Sequence, residues 1–481
     1  MYELVCGMEV HLQMNTQSKL FAPDAIAFGA EPNTQVSYIS AGHPGTLPFL
    51  NKAVIKKAVM LGLVTNCEIN PLSYFDRKNY FYPDLPKGFQ TTQDAAPICR
   101  NGWMMIDTDD GQKKIRINRI HIEEDAGKST HDLDPENSLI DLNRAGTPLM
   151  ELVTEPDFRS EEEAASFAQK LRLLARYINV CDGNMQEGSL RFDANISVRK
   201  KGASEYGTRA EIKNLNSFRF LKKAMKFEFD RQVALVEKGE SVVQETRGFD
   251  PESGKTMSQR EKEEAHDYRY FPEPDLPAIK VSPEFIEECR AALPEMPRER
   301  KKNYMLSYGL NEYAAKQLSE DREYADYFEE TAKHSPHHSL TANMLINDMR
   351  ALLNESGKSL TEVRLSPNNF AEIVDMVASK KVNVAGIKDQ LLPELLKNDK
   401  VSPRVLAESL NLLLNSDEGI ILEIVDAVLL EHQAEVERYK KGAKKLMGLF
   451  IGEVMKRGKG KVDPKKASKI LQEKLNYDLK N

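Results

Sequence analysis

The sequence predicts an α+β protein: a large antiparallel sheet built from the first part of the chain, followed by helices to its end. Three observations predict it. Several early segments alternate apolar and polar residues with period two, as a sheet with one buried and one polar face requires. The stretch from Asp267 to Pro297 carries Pro272, Pro274, Pro277, Pro283, Pro294 and Pro297, a density that breaks helices and marks a boundary. Beyond that boundary, apolar residues recur at helical spacing. A chain of 481 residues has a prior of about three domains, and the pattern divides it into 1–295, 296–407 and 408–481, with the last split near Ser402-Pro403.

Each element follows from its residues. From Leu4 to Met14, Met8, Val10, Leu12 and Met14 lie on one side of a strand and Glu9, His11 and Gln13 on the other. Ile115, Ile117, Ile120 and Ile122 mark a second strand, ending in Glu123-Glu124-Asp125. A helix over Ser160–Tyr177 opens on Ser160-Glu161-Glu162-Glu163, the pattern of a capping box. Leu190, Phe192, Ala194, Ile196 and Val198 alternate with Arg191, Asp193, Asn195 and Ser197 in a further strand, and a second helix runs from Ser217 to Lys238. Past the proline boundary, helices are expected at 298–308, 311–318 and 323–334, with Pro367, Pro393, Pro403 and Pro464 at later helix starts or gaps.

Composition narrows the class. At 41% hydrophobic and 29% charged residues there is apolar material for more than one core. No run approaches the roughly 18 to 20 apolar residues of a membrane span. The start lacks a basic region followed by an apolar stretch, so no secretory signal is expected and the cytosol is the predicted compartment. Cys6, Cys67, Cys99, Cys181 and Cys289 include no Cys-x-x-Cys pair, which leaves neither a zinc ribbon nor a redox motif. Charge is uneven: Arg438 to Asn481 holds 14 Lys/Arg against 4 Asp/Glu, a balance of +10, so with a net −7 the preceding 437 residues carry −17. A basic tail on an acidic body is the asymmetry of a protein that touches nucleic acid at one end, although a solvated basic helix pair has the same composition.

The chemistry-bearing residues lie on the polar faces. A phosphate-binding loop is excluded, because Gly127-Lys128-Ser129 has Ile122 where the first glycine must stand, and no kinase signature or His-Glu-x-x-His occurs. Any ATP chemistry must therefore use carboxylates and a divalent ion on a sheet. Glu9, His11, Glu124, Glu151 and Asp193 supply hard ligands, while Arg191 and Lys213 stand two residues from Asp193 and Glu211. That mixture suits phosphoryl transfer, but it is equally the make-up of a solvent-facing salt-bridge lattice. Two loops, Asp76 to Gly88 and His266 to Asp275, interleave aromatics with Lys and Arg, as base stacking and phosphate binding require. Packed linkers at a core edge have the same texture.

These loops also carry a family resemblance. Phe75-Asp76-Arg77-Lys78-Asn79-Tyr80-Phe81-Tyr82-Pro83-Asp84 and Asp267-Tyr268-Arg269-Tyr270-Phe271-Pro272-Glu273-Pro274-Asp275 resemble signature stretches of the B subunit of aspartyl/glutamyl-tRNA amidotransferases. So do Gly7-Met8-Glu9-Val10-His11, Glu123-Glu124-Asp125-Ala126-Gly127-Lys128, Asn143-Arg144-Ala145-Gly146-Thr147-Pro148-Leu149, Glu187-Gly188-Ser189-Leu190-Arg191 and Glu211-Ile212-Lys213-Asn214-Leu215-Asn216-Ser217-Phe218.

The resemblance implies a cradle-shaped catalytic domain related to glutamine synthetase, then a helical domain, then a small helical tail. It implies a ligase of protein biosynthesis acting as a heterotrimer with an amidase-type glutaminase subunit and a small third subunit. That complex turns Glu-tRNA(Gln), and in many organisms Asp-tRNA(Asn), into Gln-tRNA(Gln) and Asn-tRNA(Asn). Its cofactors are ATP and Mg2+. By match to the family, Glu9, His11, Glu124 and Glu151 hold the metal, with Asp193 added among the catalytic groups; Lys78, Lys87, Arg191, Lys213 and Arg269 are the candidates, as basic groups, to hold ATP phosphate oxygens. Some members carry a cysteine-bound zinc after the first strand. Here Phe21 to Ile26 and Ser37 to Gly45 contain no cysteine, so no zinc is expected. In the tail, Lys440, Lys441, Lys444, Lys445, Lys456, Arg457, Lys459 and Lys461 are the expected tRNA contacts. Two other functions compete: a non-catalytic tRNA-binding scaffold, which the acidic constellation argues against, and a free-standing amino-acid ligase, which has no use for a basic tail.

Overall fold

The computed structural model describes residues 1–131, 133–134, 136–261, 268–382, 384–397, 401–414, 418–458 and 462–477. His266, Asp267, Lys459 and Lys461 lie outside the described residues. The chain forms two compact units, Met1–Pro294 and Glu295–Asn481.

The first unit is organised by a 12-stranded sheet. At its centre, strand Tyr2–Gln13 lies between Leu190–Lys200 and Pro148–Thr154, both antiparallel to it, and Gly111–Glu124 pairs with Pro148–Thr154 on the far side. The sheet continues through Phe89–Thr92 and Asp76–Asn79 in one direction, and through Ala210–Leu215 and Glu245–Asp250 in the other. Ala210–Leu215 and Glu245–Asp250 are parallel, which corrects the expectation of a wholly antiparallel sheet. The long helix Phe218–Glu237 between them supplies the crossover that a parallel pair needs.

The alternation read from the sequence is the alternation of faces. Met8, Val10, Leu12, Met150, Leu152, Ile120, Ile122, Phe192, Ala194, Ile196 and Ile212 are all buried in the core. Helix Phe218–Glu237 packs on strand Leu190–Lys200, and helix Glu161–Tyr177 packs on strand Cys99–Thr108. Each fully buried Leu, Ile or Phe contributes about 1.5–3 kcal/mol, which pins the register and so fixes what the opposite face displays. Ser160 caps its helix by accepting from the Glu163 amide at 3.2 Å. The reciprocal half of the capping box is not formed. The Glu163 carboxylate instead accepts from the Arg159 amide at 2.7 Å and from Lys113 at 2.8 Å, because a cation lies within its reach.

One irregularity matters for the site. Val153 faces Arg119 but Thr154 faces Ile117, so Asn118 is an extra residue in its strand. Such a bulge switches which parity of side chains faces inward. Ile115 and Ile117 are buried before it, Ile120 and Ile122 after it.

The second unit is helical among its described residues. Tyr304, Phe328, Leu345 and Phe370 centre one apolar core. Ile421, Val425, Phe450, Val454 and Leu471 centre another, formed by helices Glu418–Glu431, Met447–Arg457 and Pro464–Tyr477. No described helix is long and apolar enough to cross a membrane.

Candidate active site

The polar face of the central strands forms the floor of a cleft of about 630 Å³. Directly opposed residues of antiparallel strands share a face, so the register lays out the site in rows. Arg191, His11, Glu151 and His121 stand opposite one another in one row. Asp193, Glu9, Val153 and Arg119 form the next, and Gln13, Leu149, Glu123 and Thr92 the one on the other side.

Two groups of ligand-type side chains result. His11, Glu123 and Glu151 each bring a donor atom within 4.8 Å of the others, and so do Glu9, Asp193 and Glu211. His11 Nε2 is 3.4 Å from Glu151 Oε2. His121 Nε2 stands 3.6 Å from both Glu123 Oε2 and Glu151 Oε2, and its buried Nδ1 has no hydrogen-bond partner among the described residues. Two carboxylates and an imidazole on a rigid floor, facing an open cleft, fit a divalent ion that keeps some waters and shares phosphate oxygens.

Electrostatics separate these groups. Burial alone would lower the His11 pKa, but the Glu151 hydrogen bond and charge, helped by Asp193 and Glu123, raise it to about 9. Burial opposes the charged form of Glu151 too, yet His121, His11 and Lys78 hold its carboxyl far below the usual range. Glu9 moves the other way: burial, then the charges of Glu151, Glu211 and Asp193, push its carboxyl up, and Lys213 offsets only part. Asp125 is held low despite burial, by Arg191 at 3.2 Å, Arg144 and a 2.7 Å hydrogen bond from Gln13.

Of the residues expected from sequence, Glu9, His11, Lys78, Glu151, Arg191 and Lys213 line this cleft. Asp193 is buried in its floor. Lys78 Nζ lies over the Tyr268 ring at 4.8 Å.

Three expected residues are elsewhere. Glu124 lines a second cavity of about 200 Å³, with Lys19, Lys87, Thr91 and Gly146. There its carboxylate is ion-paired with Lys87 and accepts from the Thr91 amide at 2.9 Å. The cause is strand parity: Glu124 follows Ile120 and Ile122, whereas Glu123 follows His121. Lys87 goes with it, its ammonium over Phe89 at 4.9 Å and donating to Thr91 Oγ1 at 3.0 Å, so both stand apart from the group of His11, Glu123 and Glu151. Arg269 sits at φ +47 on exposed backbone between Tyr268 and Tyr270 and lines neither cavity. The cleft instead includes Arg119, His121, Glu123, Asp125 and Glu211, which the sequence expectation omitted. The signal for His121 and Glu123 was present, since both alternate with Ile120 and Ile122.

In the second unit, Lys441, Lys444, Lys445, Lys456 and Arg457 are exposed and Lys440 is half-buried. Lys444 caps the Tyr439 ring at 4.2 Å, and Arg457 pairs with Glu431 at 2.8 Å. Exposed pairs of this kind are weak and leave the cations available to a stronger anion.

Comparison with known proteins agrees with this division. Residues 4–287 match the GatB/GatE catalytic domain, and residues 326–475 match the GatB domain. The chain is 47% identical to the B subunit of the aspartyl/glutamyl-tRNA(Asn/Gln) amidotransferase of Persephonella marina over 475 residues, covering 98% of this chain and 99% of that one. It is 45% identical over 471 residues to the protein of the same name from Thermodesulfovibrio yellowstonii, with 98% of each chain covered. The Myxococcus xanthus protein, again of that name, is 47% identical over 474 residues, also with 98% of each covered. The chain belongs to the family of aspartyl/glutamyl-tRNA(Asn/Gln) amidotransferase B subunits.

Proposed function

We propose that this chain activates the side-chain carboxylate of a misacylated tRNA with ATP and completes its amidation within a multi-subunit complex. The observation that carries the proposal is the cross-strand register that gathers His11, Glu123 and Glu151 within 4.8 Å on the floor of a cleft that Lys78 and Arg191 also line. A divalent ion bound by these three side chains would neutralise phosphate charge as the phosphoryl group transfers.

The chain's own groups do the rest. Lys78 and Arg191 hold phosphate oxygens, and Asp125 orients the Arg191 guanidinium. The substrate carboxylate (γ of glutamate, β of aspartate) attacks the γ-phosphorus, ADP departs, and a poor oxide leaving group becomes phosphate. Ammonia then adds to the acyl carbon, phosphate leaves, and the nitrogen loses a proton. Glu9, held above the usual carboxyl range by burial and its acidic neighbours, is suited to accept that proton.

The proposal extends to the assembly. An amidase-type glutaminase subunit supplies the ammonia and a small third subunit completes the complex, working in the cytosol. Lys440, Lys441, Lys444, Lys445, Lys456 and Arg457 meet the tRNA backbone, which is read by shape and charge. The first unit is a cradle of the kind related to glutamine synthetase.

The test is ADP formation by the assembled complex, stimulated by Glu-tRNA(Gln). His11→Ala and Glu151→Gln are each expected to lower it on the order of a hundredfold or more. Wild-type rates in both variants would turn the assignment to a non-catalytic tRNA scaffold.

A further inference from the structure

The second acidic group of the cleft, Glu9, Asp193 and Glu211, has the ligand types of another divalent-ion site. Its carboxylates are individually anchored. Asn195 Nδ2 donates to Glu9 Oε1 at 3.0 Å, the Asn214 amide to Asp193 Oδ1 at 2.8 Å, and Thr246 Oγ1 to Glu211 Oε2 at 3.2 Å. The remaining oxygens of Asp193 and Glu211 meet a single ammonium: Lys213 Nζ lies 3.1 Å from Asp193 Oδ2 and 3.0 Å from Glu211 Oε1. Lys213 reaches this position because it stands two residues from Glu211 on one strand, so both side chains project from the same face.

The first group is built differently. Among the described residues, the ion-pair partners of Glu123 and Glu151 are the imidazoles of His11 and His121. An imidazole nitrogen has a lone pair to offer a metal, whereas an ammonium has none and can only compete with one.

We propose that Lys213 is a tethered cation that fills the second carboxylate group, so that the cleft's own residues take up one divalent ion rather than two. The inference rests on the cleft being the metal site proposed above. An ion on these oxygens would sit at about 2.0–2.6 Å from them, in the space that the ammonium occupies, and two cations so close repel strongly in a partly buried site. Lys213 thereby sets the metal count of the cleft. It supplies a positive charge there that neither exchanges with solvent ions nor varies with their concentration.

The test uses nucleotide-free assembled complex with Mn2+ as the probe. Anomalous diffraction from wild-type crystals should show one peak at His11, Glu123 and Glu151, and none between Glu9, Asp193 and Glu211. Lys213→Met should add a peak at the second group and raise the bound Mn2+, counted by the loss of free-ion electron paramagnetic resonance signal, by one ion per complex. Lys213→Arg, which retains the charge, should keep the wild-type count. A peak at the second group in wild type, or an unchanged count in folded Lys213→Met, would overturn the inference. If Lys213→Met fails to assemble, the wild-type map decides alone. A missing peak at the first group would instead overturn the proposed metal site, and the difference in count between Lys213→Met and wild type would still decide the role of the lysine.

Discussion

Glu123 and Glu124 are neighbours in sequence and occupy opposite kinds of surroundings. Glu123 faces the large cleft, beside Glu151 and two imidazoles and with no lysine or arginine ion pair among the described residues. Glu124 faces the smaller cavity, closed by Lys87 and by the Thr91 amide. One carboxylate is left with capacity for an added cation, and the other is already neutralised by the chain. The same side chain is therefore left open to a cleft or closed by an ion pair according to strand parity, and the parity changes at one extra residue, Asn118.

The difference between the two glutamates is most vulnerable at that residue. Deleting Asn118 forces either Ile120 and Ile122 or Ile115 and Ile117 onto the polar face, a loss of more than about 4 kcal/mol from misplaced core side chains. Asn118→Ala keeps the bulge and should fold normally. Urea denaturation of the two variants checks this, and equal stability would show that the bulge does not set the parity.

The next largest effect is pH-dependent. The His11 pKa is raised in the folded chain to about 9, so the stabilisation it reports is fully present below the ordinary histidine value of about 6.5 and is lost as pH rises towards 9. In chelator-treated protein, unfolding free energy should fall on the order of 3 kcal/mol across that window. His11→Gln should flatten the profile. The Glu151 carboxyl, held low by His121, His11 and Lys78, titrates far below this window and does not contribute to it.

Substitutions at the two glutamates themselves separate them further. Without metal, Glu124→Gln breaks a buried pair and should cost about 1–3 kcal/mol. Glu123→Gln relieves crowding of like charges and should cost less than about 0.5 kcal/mol. Thermal unfolding of the two metal-free variants gives the order, and a larger loss at Glu123 would reverse the assignment. The smallest effect belongs to the tail. Replacing Lys441, Lys444 and Lys445 together by alanine should weaken tRNA binding several-fold and reduce the slope of log affinity against log salt by roughly one for each phosphate no longer neutralised. tRNA-independent ATP binding should not change.

Much of this was legible in the sequence, for a physical reason. A strand with one buried face must alternate, so Glu9, His11, Asp193 and Arg191 could be assigned to a polar face without coordinates. The sharing of one cleft by His11 and Glu151 could not be, because their strands are distant in sequence and meet only through register. Glu124 enters the expected ligand set by family match, whereas the parity of Ile120 and Ile122 already places it on the face opposite Glu123. The Asn118 bulge hides this from a reader who carries the parity of Ile115 and Ile117 forward. The parallel pairing of Glu245–Asp250 with Ala210–Leu215 had no local signal, since Glu245–Asp250 shows no period-two alternation. The texture of its loop suggests phosphate binding for Arg269, but its left-handed backbone turns it out from between two tyrosines that do face the cleft.

The proposed phosphoryl transfer in this cleft would depend on a divalent ion meeting the imidazole of His11 between Glu123 and Glu151. Electron spin-echo modulation of Mn2+-loaded complex reads that contact directly, through the coupling of a histidine nitrogen to the ion. One such coupling is expected in wild type, and it should disappear in His11→Gln. A spectrum without nitrogen coupling, or one that His11→Gln leaves unchanged, would contradict the proposed metal site.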